Sequence, residues 1–298
     1  MFIIGCFAVG VWRVQAMTST NYTIAWDSLN AGGNEMATST SYKLRDSIGQ
    51  LVSGGSGSTS YLQSAGYRLS DDLPTLSLVT RAAAGSDIAY TGFDAGAHTV
   101  TVSPASFHVG DLIAVVENQG FHPTIAIGKV ISTTPSAVQV DAWEGQPGLM
   151  SSVPSGGNDF VYLLSSNTDI SLNVIRGQEN TTLVGVSIQS SAPNGQTVYL
   201  QGESQLTDGS THVLPDVIDG DVSSNADEYG IRSLGTHAVA PTQDVAVATT
   251  TGQAILQSAI PAPGTPDRIS VLFKAGATAG TPTGSYTQRV FFTLTPNF

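Results

Sequence analysis

Residues 216 to 230, DVIDGDVSSNADEYG, hold the densest run of acid in the chain. Asp216, Asp219, Asp221, Asp227 and Glu228 fall within thirteen residues, with Asn225 among them. Three chemistries fit such a run. Calcium takes six to eight oxygens from carboxylates, amides and carbonyls. Asp219, Asp221, Asn225, Asp227 and Glu228 supply that donor set from one loop, and Gly220 lets the backbone fold round an ion. The spacing is not that of an EF-hand, because the D-x-D-x-D-G order and the closing Glu at position twelve are absent. A pair of carboxylates can also act as acid and nucleophile in glycoside cleavage, but no aromatic subsite accompanies these. The simplest reading is a solvated loop whose Asp and Asn residues favour turns.

Other catalytic patterns are absent from the sequence. His98, His108, His122, His212 and His237 are scattered, with no HExxH and no close pair, and each reads as a surface or turn residue. No G-x-S-x-G elbow occurs, and GGSGS lacks the Lys of a phosphate loop. Trp26 and Trp143 suit a sugar-stacking platform or, more simply, a sandwich core. Lys274, in SVLFKAG, is a lone lysine in an apolar strand. A lysine at a strand end ordinarily snorkels to water. An intramolecular Lys–Asn isopeptide bond is the other reading, with Asn297 or Asn173 as partner. The expectation is therefore a protein that is not an enzyme.

Composition sets the class. Of 298 residues, 41% are apolar and 11% charged, the latter less than half of what a soluble domain usually carries. Net charge is −12, with three lysines and eight arginines. A phosphate backbone needs clustered cations, so nucleic-acid binding is excluded. Eight carboxylates lie between Glu203 and Asp244 against one cation, Arg232, and such a cluster either repels itself in solvent or holds a cation. The one cysteine, Cys6, allows no intrachain disulfide. MFIIGCFAVGVWRVQA carries an apolar run too short to span a bilayer and ends in a V-x-A site. Residues 1–16 are read as a signal peptide, with a lipobox at IIGC or an uncleaved anchor as alternatives. The expected location is extracellular or at the cell surface, with no membrane span after cleavage.

The elements that must position these residues are strands. Residues 17–70 repeat a short unit in which Tyr22, Tyr42 and Tyr61 follow Asn or Ser, with Ile24 and Leu44 two residues beyond the first two and Gly-rich loops between. Each unit is too short to bury a core, so its strands must pair with one another or with something else. SDDLPTLSL marks a boundary. From Thr75 on, HTVTVSP, DLIAVVEN, TIAIGKVIS, AVQVDAWEG and DFVYLLSS read as strands of six to nine residues. ISLNVI, TTLVGVSIQ, QTVYLQGES, DVAVATT, RISVLFKAG and YTQRVFFTLTPNF follow from residue 170. The reading is all-β: antiparallel sandwich domains, jelly-roll or Ig-like, over 75–167 and 168–298, preceded by an extended N-terminal strand segment.

NYTIAWDSLNAGG, SYKLRDSIGQ and SYLQSAGYR together resemble the N-terminal repeat of secreted bacterial surface proteins, patterned NYxLxWDxxNxGG and YxLxDSIGQ. The C-terminal half resembles the β-sandwich of WxL and camelysin (TasA)-like surface proteins in Gly284, Tyr286, Thr287, Val290, Phe292, Thr293 and Pro296. The chain has no WxL motif and no LPxTG-type ending. The resemblance implies location at a cell surface. The expected function is a structural subunit of an extracellular filament or surface layer, with copies of itself as partners. Strand donation through Tyr22, Ile24, Trp26, Tyr42, Leu44 and Tyr61 would join the subunits. The alternative is a monomeric adhesin or carbohydrate-binding module taking surface glycans, stabilised by calcium at the acidic loop.

Overall fold

The computed structural model describes residues 74–297 apart from 82–86, 104–106, 121, 156, 168, 193 and 210–211, with backbone alone at 263–265. It also gives the backbone of four short strands nearer the N-terminus. Those are β1 (Ala37–Thr38), β2 (Lys43–Leu44), β3 (Gly54–Gly57) and β4 (Leu62–Ala65). They form two two-stranded antiparallel ladders, with Leu44 opposite Ala37 in the first. Tyr22, Ile24, Trp26, Tyr42 and Tyr61 lie outside the described residues, as does the proposed signal segment. The contacts divide the chain into two compact units, Met1–Asp72 and Leu73–Phe298.

The second unit is nearly all β. Val, Ile and Thr dominate its strands, as pleated, half-buried surfaces favour. Its first strands are β5 (Thr75–Arg81), β6 (Ile88–Ala89), β7 (Gly92–Asp94), β8 (Thr99–Thr101) and β9 (Leu112–Glu117). Next come β10 (Thr124–Thr134), β11 (Ala137–Val140), β12 (Glu144–Gly145) and β13 (Phe160–Ser165). The remainder are β14 (Gln178–Ser190), β15 (Gln196–Gly202), β16 (Leu206–Thr207), β17 (Val213–Leu214), β18 (Glu228–Leu234), β19 (Gln253–Ser258), β20 (Ala262–Ala277) and β21 (Val290–Pro296).

Twelve of these make one sheet in the order β18-β20-β14-β5-β13-β9-β10-β11-β8-β7, with β12 on β10 and β6 on β13. A second sheet runs β19-β15-β21, and β16 pairs β17. Residue 167, where the sequence suggests a change of domain, falls between β13 and β14, and strands from both sides of it join the large sheet.

The two sheets enclose the main core. Val184, Val186 and Ile188 of β14, Ile231 of β18 and Val271 and Phe273 of β20 meet Val198 and Leu200 of β15 and Ile255 and Leu256 of β19. Phe273 is 1% exposed, and burying a side chain of that size contributes about 1.5–3 kcal/mol. A second cluster joins Phe93, Val100, Ile113, Val115, Val138, Trp143 and Val161 in the first half of the large sheet. Trp143 packs against Phe93 there, ring centroids 5.1 Å apart and planes tilted by 42°. A third cluster joins the halves: Ala114, Val116, Ile125 and Ile127 of β9 and β10 pack on Leu183, Leu234 and Leu272.

The sequence reading and the structure part at two segments. ISLNVI forms no ladder; it packs Leu172 and Val174 on the main core without strand hydrogen bonds. DVAVATT is not a strand either, and makes one bridge, Val245 to Ile231. The strand in that region is instead EYGIRSL, β18, which begins inside the acidic run at Glu228. Asn194-Gly195 makes the expected turn into β15, where Gly195 has φ +78° and a Cβ would stand 2.0 Å from the carbonyl oxygen of Ser258.

Candidate functional site

Strands β18, β20 and β14 lie side by side, and their register builds a charged cluster on one face. Lys274 sits opposite Gly230 of β18 and Thr181 of β14. Arg232 pairs with Leu272, and Glu179 pairs with Gly276. Strand pleating turns alternate residues the same way, so Arg232, Lys274 and Glu179 share the face opposite Phe273. Gly276 lets the loop after Gly220 close over that face, since a Cβ there would meet the Ser223 carbonyl oxygen at 2.0 Å.

Asp244 is the centre of the cluster. Its side chain is 0% exposed and that of Lys274 2%. Its Oδ2 accepts from Lys274 Nζ at 2.5 Å and from the Val222 amide at 2.8 Å, and its Oδ1 accepts from Arg232 Nε at 2.6 Å. Asp221, more than half exposed, stands at the rim, 3.6 Å from Arg232, 3.8 Å from Lys274 and 4.0 Å from His122. Buried Glu179 faces His122 Nε2 at 3.8 Å, and its Oε1 has no hydrogen-bond partner. Burial pushes the Glu179 carboxyl above its usual range. His122 and Lys274 oppose that push, and Asp221 and Asp244 add to it.

Beside the cluster lies a cavity of about 100 Å³, lined by His122, Thr124, Gln146, Arg232, Leu272 and Lys274 among others. Waters occupy about 30 Å³ each, and organic ligands fill pockets of roughly 300 Å³ or more. This space suits a few waters.

Three of the proposed calcium ligands, Asp219, Asp227 and Glu228, accept hydrogen bonds from protein groups nearby. Asp219 Oδ1 accepts from the Asp221 amide at 3.1 Å. Glu228 Oε1 accepts from the amide and hydroxyl of Ser223, at 2.9 and 3.1 Å. Asp227 Oδ1 accepts from the Thr278 amide at 2.7 Å and from the Thr281 hydroxyl. The Asn225 amide donates to Ser223 Oγ at 3.4 Å. Among the described residues no group of three or more His, Cys, Asp or Glu side chains is arranged to hold a metal ion.

Lys274 does not snorkel to water, and neither suggested asparagine is bonded to it. Asn297 Nδ2 donates to the Asn194 carbonyl oxygen, and Asn173 takes a bond from Asn180 Nδ2 on its own carbonyl. The sequence signal at Lys274 was real, a charge in an apolar strand. Its partner lay thirty residues away in a segment read as another strand.

A second feature is the outer edge of β21. Within the short sheet, β21 pairs with β15 alone. Asn297 N donates to the Gly195 carbonyl and Glu203 N donates to the Arg289 carbonyl, each at 2.8 Å. The odd-numbered residues therefore face β15, and the alternation of an antiparallel ladder turns the backbone groups of Val290, Phe292 and Leu294 outward. Pro296, which has no N–H to offer, occupies an outward position. The side chains of Val290, Phe292 and Leu294 meanwhile rest on the main core.

Comparison with protein-family models, with characterised proteins and with solved structures finds no match for the chain. Among the described residues no helix is long and apolar enough to cross a membrane.

Proposed function

We propose that this protein is a structural subunit of an extracellular filament or surface layer, assembled by strand addition between copies. The observation that carries the reading is the edge of β21. It presents backbone donors and acceptors over Val290, Phe292 and Leu294 with no neighbouring strand among the described residues. Such an edge is a template for another chain's strand.

The donor in this reading is the N-terminal repeat of the next copy. Its described strands pair only with each other, in ladders of two and four residue pairs. Two-stranded ladders that short are marginal in water and gain most from an added sheet. Head-to-tail donation does not close on itself, so it propagates a fibre.

Negative-stain electron microscopy of residues 17–298 tests this directly. Filaments are expected. Deleting residues 17–70 should leave dispersed particles, and a synthetic peptide spanning residues 17–47 should shorten the filaments of the longer protein. Fibres formed equally well by the truncated protein would overturn donation by the repeat. Dispersed particles from residues 17–298 would overturn the structural role.

A further inference from the structure

The contact between Lys274 and Asp244 is unlike an ordinary ion pair. An amine and a carboxylate meet at 2.5 Å, both side chains are essentially out of solvent, and the carboxylate's second oxygen is held by a guanidinium at 2.6 Å. We propose that Lys274 and Asp244 become joined by an isopeptide bond from Nζ to Cγ, with loss of one water. Neither the bond nor its test requires assembly into filaments.

The step balances without any co-reactant. The ammonium and the carboxylate contain the amide and one water between them. Of the three protons on Nζ, one stays on the amide nitrogen and two leave with Oδ2 as water. The Nζ–Cγ bond forms as Cγ–Oδ2 breaks. Oδ1 remains as the amide carbonyl oxygen, and the negative charge that gathers on it in the tetrahedral intermediate faces Arg232 Nε. A fixed donor at that atom stabilises the charge where it develops.

Three features favour condensation over the ion pair. Holding the reacting groups in contact replaces an encounter in solution, an advantage worth effective concentrations on the order of 10⁵ M or more. The amide itself is neutral, so the cost of keeping those two charges out of water is removed, while Arg232 keeps Asp221 as a counter-charge at 3.6 Å. Both side chains are out of bulk solvent, so water reaches the amide only by way of the small cavity that Lys274 lines.

Protons must still move from Nζ to Oδ2. Glu179 lies on the same face, two residue pairs along from Lys274. Its Oε1 is buried without a hydrogen-bond partner, and desolvation favours its protonated form. We assign it as the proton carrier. Asp221, whose Oδ1 stands 3.8 Å from Nζ, is a rim carboxylate more than half exposed, so water competes for it.

The test is mass spectrometry on the denatured full chain, with its N-terminus read by sequencing. The expected mass is that of the sequence less one water. Cleavage after Lys and Arg should give a branched peptide joining residues 233–268 to residues 269–289, with Lys274 uncut. Glu179→Gln keeps the shape of the side chain but cannot carry the proton, and it should accumulate the unbonded mass in a folded protein. Lys274→Arg should show no branched peptide.

A chain at its full sequence mass overturns the proposal. So does a water loss that maps to Asp219–Gly220 or Asp208–Gly209 and is reversed by hydrolysis in mild base, the behaviour of a cyclic imide. A branch to residues 177–232 overturns the choice of Asp244 and points to Asp221 or Glu179. Full bonding in Glu179→Gln overturns the role given to Glu179.

Discussion

The two faces of β20 are both buried and are built on opposite principles. Ile269, Val271, Phe273 and Ala275 point into the main core, each at most 3% exposed. Arg268, Ser270, Leu272 and Lys274 point the other way and are equally hidden, at 3% or less. One face is held by apolar packing. The other packs Leu272 in the third cluster and holds its two charges by specific partners: Arg268 grips Asp141 through two bonds, at 2.9 and 2.6 Å, and Lys274 meets Asp244. A packed face tolerates any apolar neighbour of the right volume. A charged face tolerates one arrangement only, because each buried charge is costly without its counterpart.

Asp244→Ala attacks the charged face at its centre and should have the largest effect. It leaves Lys274 and Arg232 buried without their shared acceptor, and removing one member of such a group costs about 3–5 kcal/mol. The upper end is expected here, read as a fall in the denaturation midpoint in urea. Phe273→Ala tests the apolar face, with an expected loss of about 4 kcal/mol from transfer and cavity terms together. If Asp244→Ala proves as mild as a surface substitution, the contrast between the faces fails.

Arg268→Ala should cost less, about 2–3 kcal/mol, because Asp141 is about a quarter exposed and regains water. This pair joins β20 to the segment after β11, so the loss should also increase amide exchange near Asp141.

The smallest effect is the response to pH, which separates two carboxylates. Burial alone would raise the Asp141 carboxyl. Arg268 and the amides of Lys129 and Ala142 outweigh it and hold the group below its usual range. Its contribution is present above the unfolded value of about 3.9 and is lost as pH falls through the lower folded value. Glu179 is raised chiefly by burial, so its sign is opposite. Its contribution is full below the unfolded value of about 4.3 and is lost as pH rises through the folded one. With Lys274→Arg as the background, where no Lys274–Asp244 bond forms, thermal melts of added Glu179→Gln should gain on that background at neutral pH and lose the gain near pH 4.

The apolar face of β20 was legible in the sequence, and the charged face was half legible. RISVLFKAG reads as a strand because its Val, Leu and Phe need cover, and the same holds for DLIAVVEN, TIAIGKVIS, DFVYLLSS and TTLVGVSIQ. β18 was hidden because its Glu228 and Arg232 are polar residues turned toward a buried face, so the segment lacks the alternation of a solvent-washed strand. DVAVATT misled in the converse way. It alternates well, yet its Asp244 is spent on Lys274 and Arg232. Pairings between residues 179, 232, 244 and 274 depend on strand order, which local pattern does not carry. The acidic run was correctly noticed, but the decisive carboxylate lay beyond it, and the cations it answers to came from β18 and β20.

The placement of β5 has a mechanical consequence. It is the first strand of the second unit, immediately after the N-terminal segment, and lies between β14 and β13 rather than at a margin of the sheet. A pull applied along β5 from its N-terminal end loads six registered pairs with β14 and two with β13. Those pairs are loaded in shear and must yield together. A strand at the margin, such as β21, would be peeled from its neighbour one pair at a time. Of these two strands, β5 is the better placed to bear a pull along its length.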